Sequence, residues 1–178
     1  NETTLANAWA RESATPRASY LHAWHAAFGR YFWITGLLKM VNDGMMLLNP
    51  VLINTIVAYI DGKTPLSPVA AVLLALAMLG ANTVKSLASG QYFWRGFRLG
   101  LHTRVAVGQH VYGKALSLVH EQRNEFGVGA IVSYMQIDAT KIGDALPYLH
   151  LTWSGPVLLL VATGMLYGYL GVAGFAGL

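Results

Sequence analysis

Apolar residues form long runs along this chain, and polar residues cluster in the stretches between them. Residues 31–60 and 66–84 form the first two runs, and residues 145–178 contain no Asp, Glu, Lys or Arg at all. About 20 consecutive apolar residues are enough for a helix to cross the hydrocarbon core of a bilayer. The pattern predicts helices over about residues 31–60, 66–118 and 139–168, with a fourth beginning at about residue 171.

The second of these helices is predicted to continue far beyond the membrane. No proline interrupts the chain between Pro68 and Pro147, and Phe93, Phe97 and later apolar residues recur every fourth position. A helix over residues 66–118 would be roughly 75–80 Å long at about 1.5 Å per residue, whereas the hydrocarbon core is about 30 Å thick. The excess length is expected to project into the cytoplasm and pack on other helices.

The N-terminal region is predicted to lie outside the first span. Residues 1–17 are polar and are expected to form a loop or flexible lead-in. Within residues 19–30, Leu21, Trp24 and Phe28 recur at helical spacing, which predicts a short amphipathic helix in the membrane interface. A soluble surface helix is the alternative for this short window.

Composition places the chain among membrane proteins. Of its 178 residues, 54% are hydrophobic and only 11% are charged, whereas soluble domains have about 25% charged residues. The net charge of +4 does not require nucleic acid, because nine of the twelve Lys and Arg residues fall on one side of the predicted membrane and Lys63 falls on the other. The positive-inside rule makes the basic side cytoplasmic. These basic residues are Arg11, Arg17, Arg30, Arg95, Arg98, Arg104, Lys114, Arg123 and Lys141.

Both ends of the sequence and the absence of cysteine add further expectations. The chain begins at Asn1 rather than Met and ends inside an apolar stretch, so a fragment is expected. Without cysteine there is no disulfide framework and no thiolate metal site.

Lys39 and Asp43 are the most informative polar residues, because they lie four residues apart within the first span. This spacing places them on one helix face. A lone charge in mid-membrane costs at least about 2.5–3.5 kcal/mol, so it faces a partner or a wet cavity. A neutralised internal pair and a substrate contact both remain open. In the second case, Lys39 would offer its three hydrogen-bond donors to an anion. Asn42 joins them as a candidate substrate-binding residue.

Three other motifs have simpler interpretations. Residues 108–114 match G-x-x-x-x-G-K, but neither Ser nor Thr follows and no strand precedes, so a phosphate loop is not expected. His102 and His150 are candidate haem ligands only if the topology is forced, and interfacial histidines are the favoured interpretation. Arg95 and Arg98 are too few for a voltage sensor and are interpreted as marking the cytoplasmic end of the span.

Four groups of residues form recognisable motifs. These are residues 36–43 with 49–50, residues 91–93 with 111–117, residues 128–138, and residues 147–156. Together they resemble the transmembrane domain of ABC exporters of the C subfamily, the multidrug-resistance-associated transporters, over about residues 9–178. The chain departs from the family pattern at Ala130, Ser133 and His102, where the family has Glu, Asn and Arg.

The resemblance implies an all-α, ABC exporter-type transmembrane helix bundle with long cytoplasmic helical extensions. Residues 1–30 would be its lead-in and interfacial helix, and residues 31–178 part of the transmembrane domain. It implies ATP-driven export of organic anions and conjugates of the glutathione type, in the vacuolar or plasma membrane. ATP and Mg²⁺ would bind to separate nucleotide-binding domains, with no ATPase site within residues 1–178. The partners would be those domains, a second transmembrane domain, the lipid bilayer and amphipathic anionic small molecules, but not nucleic acid.

The resemblance also implies roles for individual residues. Lys39 matches a family position associated with the anionic substrate pocket. Residues 129–138 would form the coupling helix that docks on a nucleotide-binding domain. Its candidate residues are Gly129, Ile131, Val132, Met135 and Asp138. Two alternatives to an exporter remain open for the function of the chain. One is a helical membrane enzyme that uses the histidines, and the other is a non-transporting channel regulator with the ABC fold.

Overall fold

A computed structural model describes residues 2–65, 67–118 and 127–171 of the chain. Over these residues the protein is helical. The elements are α1 (Glu2–Glu12), α2 (Tyr20–Ile60), α3 (Pro68–Ser117), α4 (Val128–Ser133), a π-helical turn (Tyr134–Asp138), α5 (Ala139–Ala145), a 3₁₀ turn (Leu146–Tyr148) and α6 (Leu149–Leu170). The all-α prediction is confirmed. The predicted helix start at Leu66 and the predicted fourth helix beyond residue 171 lie outside the described residues.

Three helical stretches are long and apolar enough to cross a membrane within the described part of the chain. They are Tyr20–Ile60, Pro68–Ser117 and Gly129–Tyr169. The second contains 50 residues in one uninterrupted helix, a contour of about 75 Å. The hydrocarbon core of a bilayer, about 30 Å thick, takes up less than half of this helix length.

The connection between α2 and α3 is a short polar turn with recognisable stop and start signals. Gly62 has φ 69°, a left-handed conformation that glycine adopts without steric cost and that commonly ends a helix. The Ser67 hydroxyl accepts a hydrogen bond from the Ala70 amide at 3.2 Å, and Pro68 occupies the first helical position. These residues account for the abrupt change from one long helix to the next.

One compact unit comprises Asn1–Gly36 and Tyr92–Leu149. Its core contains residues of α1, α2, α3 and the 3₁₀ turn: Leu5, Ala23, Phe28, Leu99, Ala106 and Leu146. The expectation of a loop over residues 1–17 is wrong for Glu2–Glu12, which form α1. Leu5, Ala8 and Trp9 follow helical spacing and pack into this core. Tertiary packing therefore stabilises a helix whose own sequence is mostly polar.

The expectation of a separate interfacial helix over residues 19–30 is also wrong, because α2 continues without interruption from Tyr20 to Ile60. Of the three apolar residues of this region, Phe28 is buried in the unit's core and Trp24 packs against that core, whereas Leu21 is 76% exposed. Trp24 Nε1 donates a hydrogen bond to Thr103 Oγ1 of α3 at 3.0 Å. The beginning of α2 is thus anchored by side-chain packing and a hydrogen bond.

The other compact unit comprises Leu37–Gln91 and His150–Leu178. Within its described residues, many large apolar side chains are exposed, including Leu160 at 73%. Such surfaces are stable against lipid or other transmembrane helices but not against water. Asn49 Nδ2 donates to Asn82 Oδ1 at 3.0 Å and links α2 to α3 inside this unit. Interhelical amide bonds of this kind are typical of helix pairs in membranes.

Candidate functional site

The structure brings together the three predicted substrate-binding residues on α2. Lys39 Nζ is ion-paired with Asp43 Oδ1, and Asn42 Nδ2 donates a hydrogen bond to the same oxygen at 3.0 Å. Lys39 is 5% exposed and Asp43 is 8% exposed. The cluster therefore cancels one positive and one negative charge within a single helical turn. Of the two interpretations of the sequence, the internal pair is formed in this structure.

The ion pair leaves one oxygen of the Asp43 carboxylate without a hydrogen bond within the described part of the chain. Asp43 Oδ2 is buried and has no hydrogen-bond partner among the described residues. An ionised carboxylate accepts through both oxygens, and a lysine ammonium carries three donors. A buried acceptor without a partner is costly, so a ligand or water that donates to Oδ2 would stabilise this site. The cluster can therefore hold both an anionic group, through Lys39, and a donor group, through Asp43.

A second buried polar group lies on α6, in the same compact unit. His150 and Ser154 are each 2% exposed and lie one turn apart. Trp153 Nε1 donates to His150 Nδ1 at 3.1 Å, whereas Ser154 Oγ is buried without a hydrogen-bond partner among the described residues. The favoured interpretation of His150 was an interfacial histidine, with a haem ligand as the alternative, and Ser154 was not among the candidate site residues. The i, i+4 spacing of two polar residues in a charge-free stretch was the available signal.

The predicted coupling residues do not form a separate short helix. Val128–Ser133 are α-helical, Tyr134–Asp138 form a π-helical turn, and the helix continues into α5. The helices predicted separately over residues 129–138 and 139–168 are therefore joined, and the wider π turn between them accommodates an extra residue within the helix. Val132 is 46% exposed, and Asp138 is half-buried.

The other coupling candidates differ in their surroundings. Gly129 is exposed. Ile131 lines a groove with Trp9 and Tyr20, and Met135 lines another with Arg104 of α3. The segment thus has one side in contact with its own unit and another side exposed.

Close backbone packing holds this region against α3. A Cβ atom on Gly143 would lie 2.9 Å from the Gly100 carbonyl oxygen, and one on Gly100 would overlap the Gly143 carbonyl. Tyr92 OH donates a hydrogen bond to the Pro147 carbonyl, and a Cβ on Gly96 would lie 3.2 Å from Pro147. Small residues therefore permit two helices to approach at backbone distance. The sequence analysis did not single out Gly100 or Gly143.

The G-x-x-x-x-G-K motif and the candidate metal ligands noted in the sequence do not form binding sites among the described residues. Residues 108–114 lie inside α3, where the backbone amides donate along the helix and cannot cradle a phosphate. Residues 108–114 therefore lack the loop geometry of a phosphate-binding motif. Among the described residues, there is no group of three or more His, Asp or Glu side chains that could hold a metal ion.

Comparison with known proteins supports the interpretation of the helices. Residues 32–178 match the family model of the ABC transporter transmembrane region. The chain is 34% identical to ABC transporter C family member 8 of Dictyostelium discoideum over 172 residues, which are 96% of this chain and 11% of that protein. It is 30% identical to human ATP-binding cassette sub-family C member 3 over 162 residues, 90% of this chain and 10% of the relative.

A third relative is the vacuolar heme ABC transmembrane exporter abc3 of Schizosaccharomyces pombe, 29% identical over 175 residues, 95% of this chain and 12% of that exporter. The chain thus spans about a tenth of the length of these relatives. The described residues include three apolar helices of membrane-spanning length, and the chain is part of a multi-pass integral membrane protein. The chain belongs to the ABC transporter transmembrane region family and, by its relatives, to the C subfamily.

Proposed function

We propose that this chain forms part of the translocation pathway of an ATP-driven exporter of amphipathic organic anions, including conjugates of the glutathione type. ATP and Mg²⁺ bind to nucleotide-binding domains outside this chain, and a second transmembrane domain completes the pathway. ATP binding closes the cytoplasmic ends of the helices and opens the cavity outward, by rigid-body motion of the helices. The membrane is the vacuolar or the plasma membrane.

The polar cluster on α2 is the observation that supports this proposal most strongly. A lysine and an aspartate are buried in a helix whose neighbouring side chains are apolar, although an apolar pair would be cheaper to bury. Lys39 supplies a cation for a carboxylate, and Asp43 Oδ2 supplies an acceptor for an ammonium. A glutathione moiety carries both groups, so it matches the two halves of the cluster.

A relative with a named cargo fits the same substrate class. The Schizosaccharomyces pombe protein is named as a vacuolar haem exporter. Haem combines a large apolar ring with two carboxylates, and it is therefore an amphipathic anion. Its chemistry is consistent with a cationic group held within an apolar pathway.

We also propose that residues 129–138 transmit the motion of a nucleotide-binding domain to the membrane helices. Val132, Tyr134 and Ile137 are exposed apolar side chains on this segment, at 46%, 51% and 53%. They form a surface suited to docking of a protein partner. The close Gly100–Gly143 packing would pass a displacement of this segment directly to α3.

Transport by Lys39 variants tests the substrate role. Lys39→Met in the complete transporter should reduce ATP-dependent uptake of a glutathione conjugate into inside-out vesicles by about 10–100-fold in kcat/KM. This range corresponds to loss of one charged hydrogen bond, about 1.5–3 kcal/mol. Basal ATP hydrolysis should change much less. Lys63→Met is the matched control, because Lys63 pairs with Asp61 in an exposed turn at 2.9 Å.

The double variant Lys39→Met/Asp43→Asn separates a substrate role from a structural one. It removes both buried charges, so no ion remains unpaired. Persistent loss of uptake in this variant supports contact between the Lys39–Asp43 pair and the substrate, because the missing charges no longer leave an unpaired ion. Recovery of uptake would show that Lys39 only neutralises Asp43, and the proposal for this residue would be wrong.

A further inference from the structure

A basic cavity lies in the unit formed by Asn1–Gly36 and Tyr92–Leu149. None of its lining residues belongs to the Lys39–Asp43 cluster or to residues 129–138. Its volume is about 560 Å³, and residues from α1, α2 and α3 line it. Its basic residues are Arg30, Arg95, Arg98 and His102. None of the described lining side chains is acidic, and none of the three arginines forms a salt bridge with a described carboxylate.

Three guanidinium groups around one cavity repel each other unless an anion lies between them. Arginine offers a planar fork of donors that matches a phosphate with two parallel hydrogen bonds. The Arg98 guanidinium carbon lies 5.2 Å from the centre of the Trp94 ring, within cation–π range, and such a contact does not consume the hydrogen-bond donors of the guanidinium. The cavity volume falls in the usual range for small-molecule sites, roughly 300–1,000 Å³.

The position of these residues in the sequence indicates where the anion comes from. Arg30 directly precedes the apolar part of α2, and Arg95 and Arg98 follow the apolar part of α3. Both places correspond to the cytoplasmic membrane surface by the distribution of basic residues. Trp33 and Trp94 are 63% and 57% exposed, as expected for aromatic residues at the interface.

We propose that this cavity binds the phosphate-bearing headgroup of an anionic phospholipid of the cytoplasmic leaflet. The arginines bind the headgroup phosphates. Basic pockets between transmembrane helices on the cytoplasmic side are suited to such headgroups. The apolar residues Phe28, Ile34 and Leu99, which line the same cavity, provide contacts for the glycerol and first acyl carbons. A soluble phosphate compound has no group to occupy these apolar walls.

A binding measurement tests this site without reference to transport. The complete transporter is placed in phosphatidylcholine nanodiscs, and binding of a fluorescent short-chain phosphatidylinositol 4,5-bisphosphate is measured. Arg95→Gln and Arg98→Gln should each weaken binding about fivefold, the equivalent of about 1 kcal/mol for each basic residue at a membrane surface. The double variant should lose about 25-fold. Arg104→Gln removes a charge from the same helix outside this cavity and should change binding less than twofold.

Several results would overturn the proposal. An equal loss in Arg104→Gln would mean diffuse attraction to a basic surface rather than a site. Equal affinity for soluble inositol 1,4,5-trisphosphate would assign the cavity to a free phosphate compound. The wild-type protein supplies a test that needs no variant to fold. Unlabelled phosphatidylinositol 4,5-bisphosphate must displace the probe and phosphatidylcholine must not, so displacement by both, or by neither, contradicts the proposal.

Discussion

Removing either charge of the Lys39–Asp43 pair should destabilise the membrane helices, whereas removing both should not. Lys39 and Asp43 are 5% and 8% exposed, so each charge depends on the other rather than on water. Breaking a buried pair from one side costs about 3–5 kcal/mol, and a lone charge in mid-membrane costs at least about 2.5–3.5 kcal/mol. These ranges overlap near about 3 kcal/mol, which is the expected loss for Lys39→Met or for Asp43→Asn. The double variant should lie within about 1 kcal/mol of wild type.

Thermal unfolding of the purified transporter in detergent measures this difference. For a cooperative unfolding unit of about 150–250 residues, the size of this chain, a loss of about 3 kcal/mol lowers the unfolding midpoint by about 6–12 °C, at about 2–4 °C per kcal/mol. Lys63→Met breaks a comparable pair whose lysine side chain is 74% exposed, and it should have almost no effect. The reasoning fails if the two single variants are neutral, or if the double variant loses the sum of both. In either case the two charges would not be compensating each other.

Two further predictions concern the region that packs against α3. Gly100→Ala should destabilise the protein by about 1–3 kcal/mol in the same unfolding assay, because the new methyl group would overlap the Gly143 carbonyl. Gly90→Ala, with no atom within 4 Å of its added Cβ, should be neutral or slightly stabilising, and equal effects of the two variants would disprove the close packing. Val132→Pro, inside α4, should abolish vesicle uptake while ATP hydrolysis continues. Val128→Pro, at the first helical position, is the control and should be tolerated. Normal uptake by the Val132→Pro variant would mean that this segment does not transmit the motion of the nucleotide-binding domain.

Local features of the sequence were sufficient to predict the long helices and the position of Lys39 and Asp43 on one helix face, although the ion pair between them was left open. Apolar runs and the absence of proline determine where a membrane helix can form, and four residues along a helix bring two side chains together. The structure agrees with these expectations in α3, which runs from Pro68 to Ser117. The same local reasoning failed for α1, because its helix depends on the packing of Leu5 into a core formed by distant residues.

Contacts between distant parts of the chain could not be derived from spacing. Tyr92 and Pro147 are 55 residues apart in the sequence, yet they share a hydrogen bond. Nothing in the local pattern indicates which glycine of α3 would lie against Gly143, since the chain contains 19 glycines. The basic cavity was missed for the same reason. Arg30 and Arg95 come from different helices, and only the fold places them around one space.

The buried polar atoms of the unit formed by Leu37–Gln91 and His150–Leu178 require partners from outside the described residues. Asp43 Oδ2, Asn49 Oδ1 and Ser154 Oγ are all buried without hydrogen-bond partners among the described residues. In hydrocarbon each such group would cost several kcal/mol, with no water available to compensate. The large apolar side chains of the same unit, by contrast, are exposed and suit lipid or neighbouring helices. These atoms can be stable only if water, a bound molecule or another helix of the transporter reaches them, and the proposed translocation pathway would bring such partners to them.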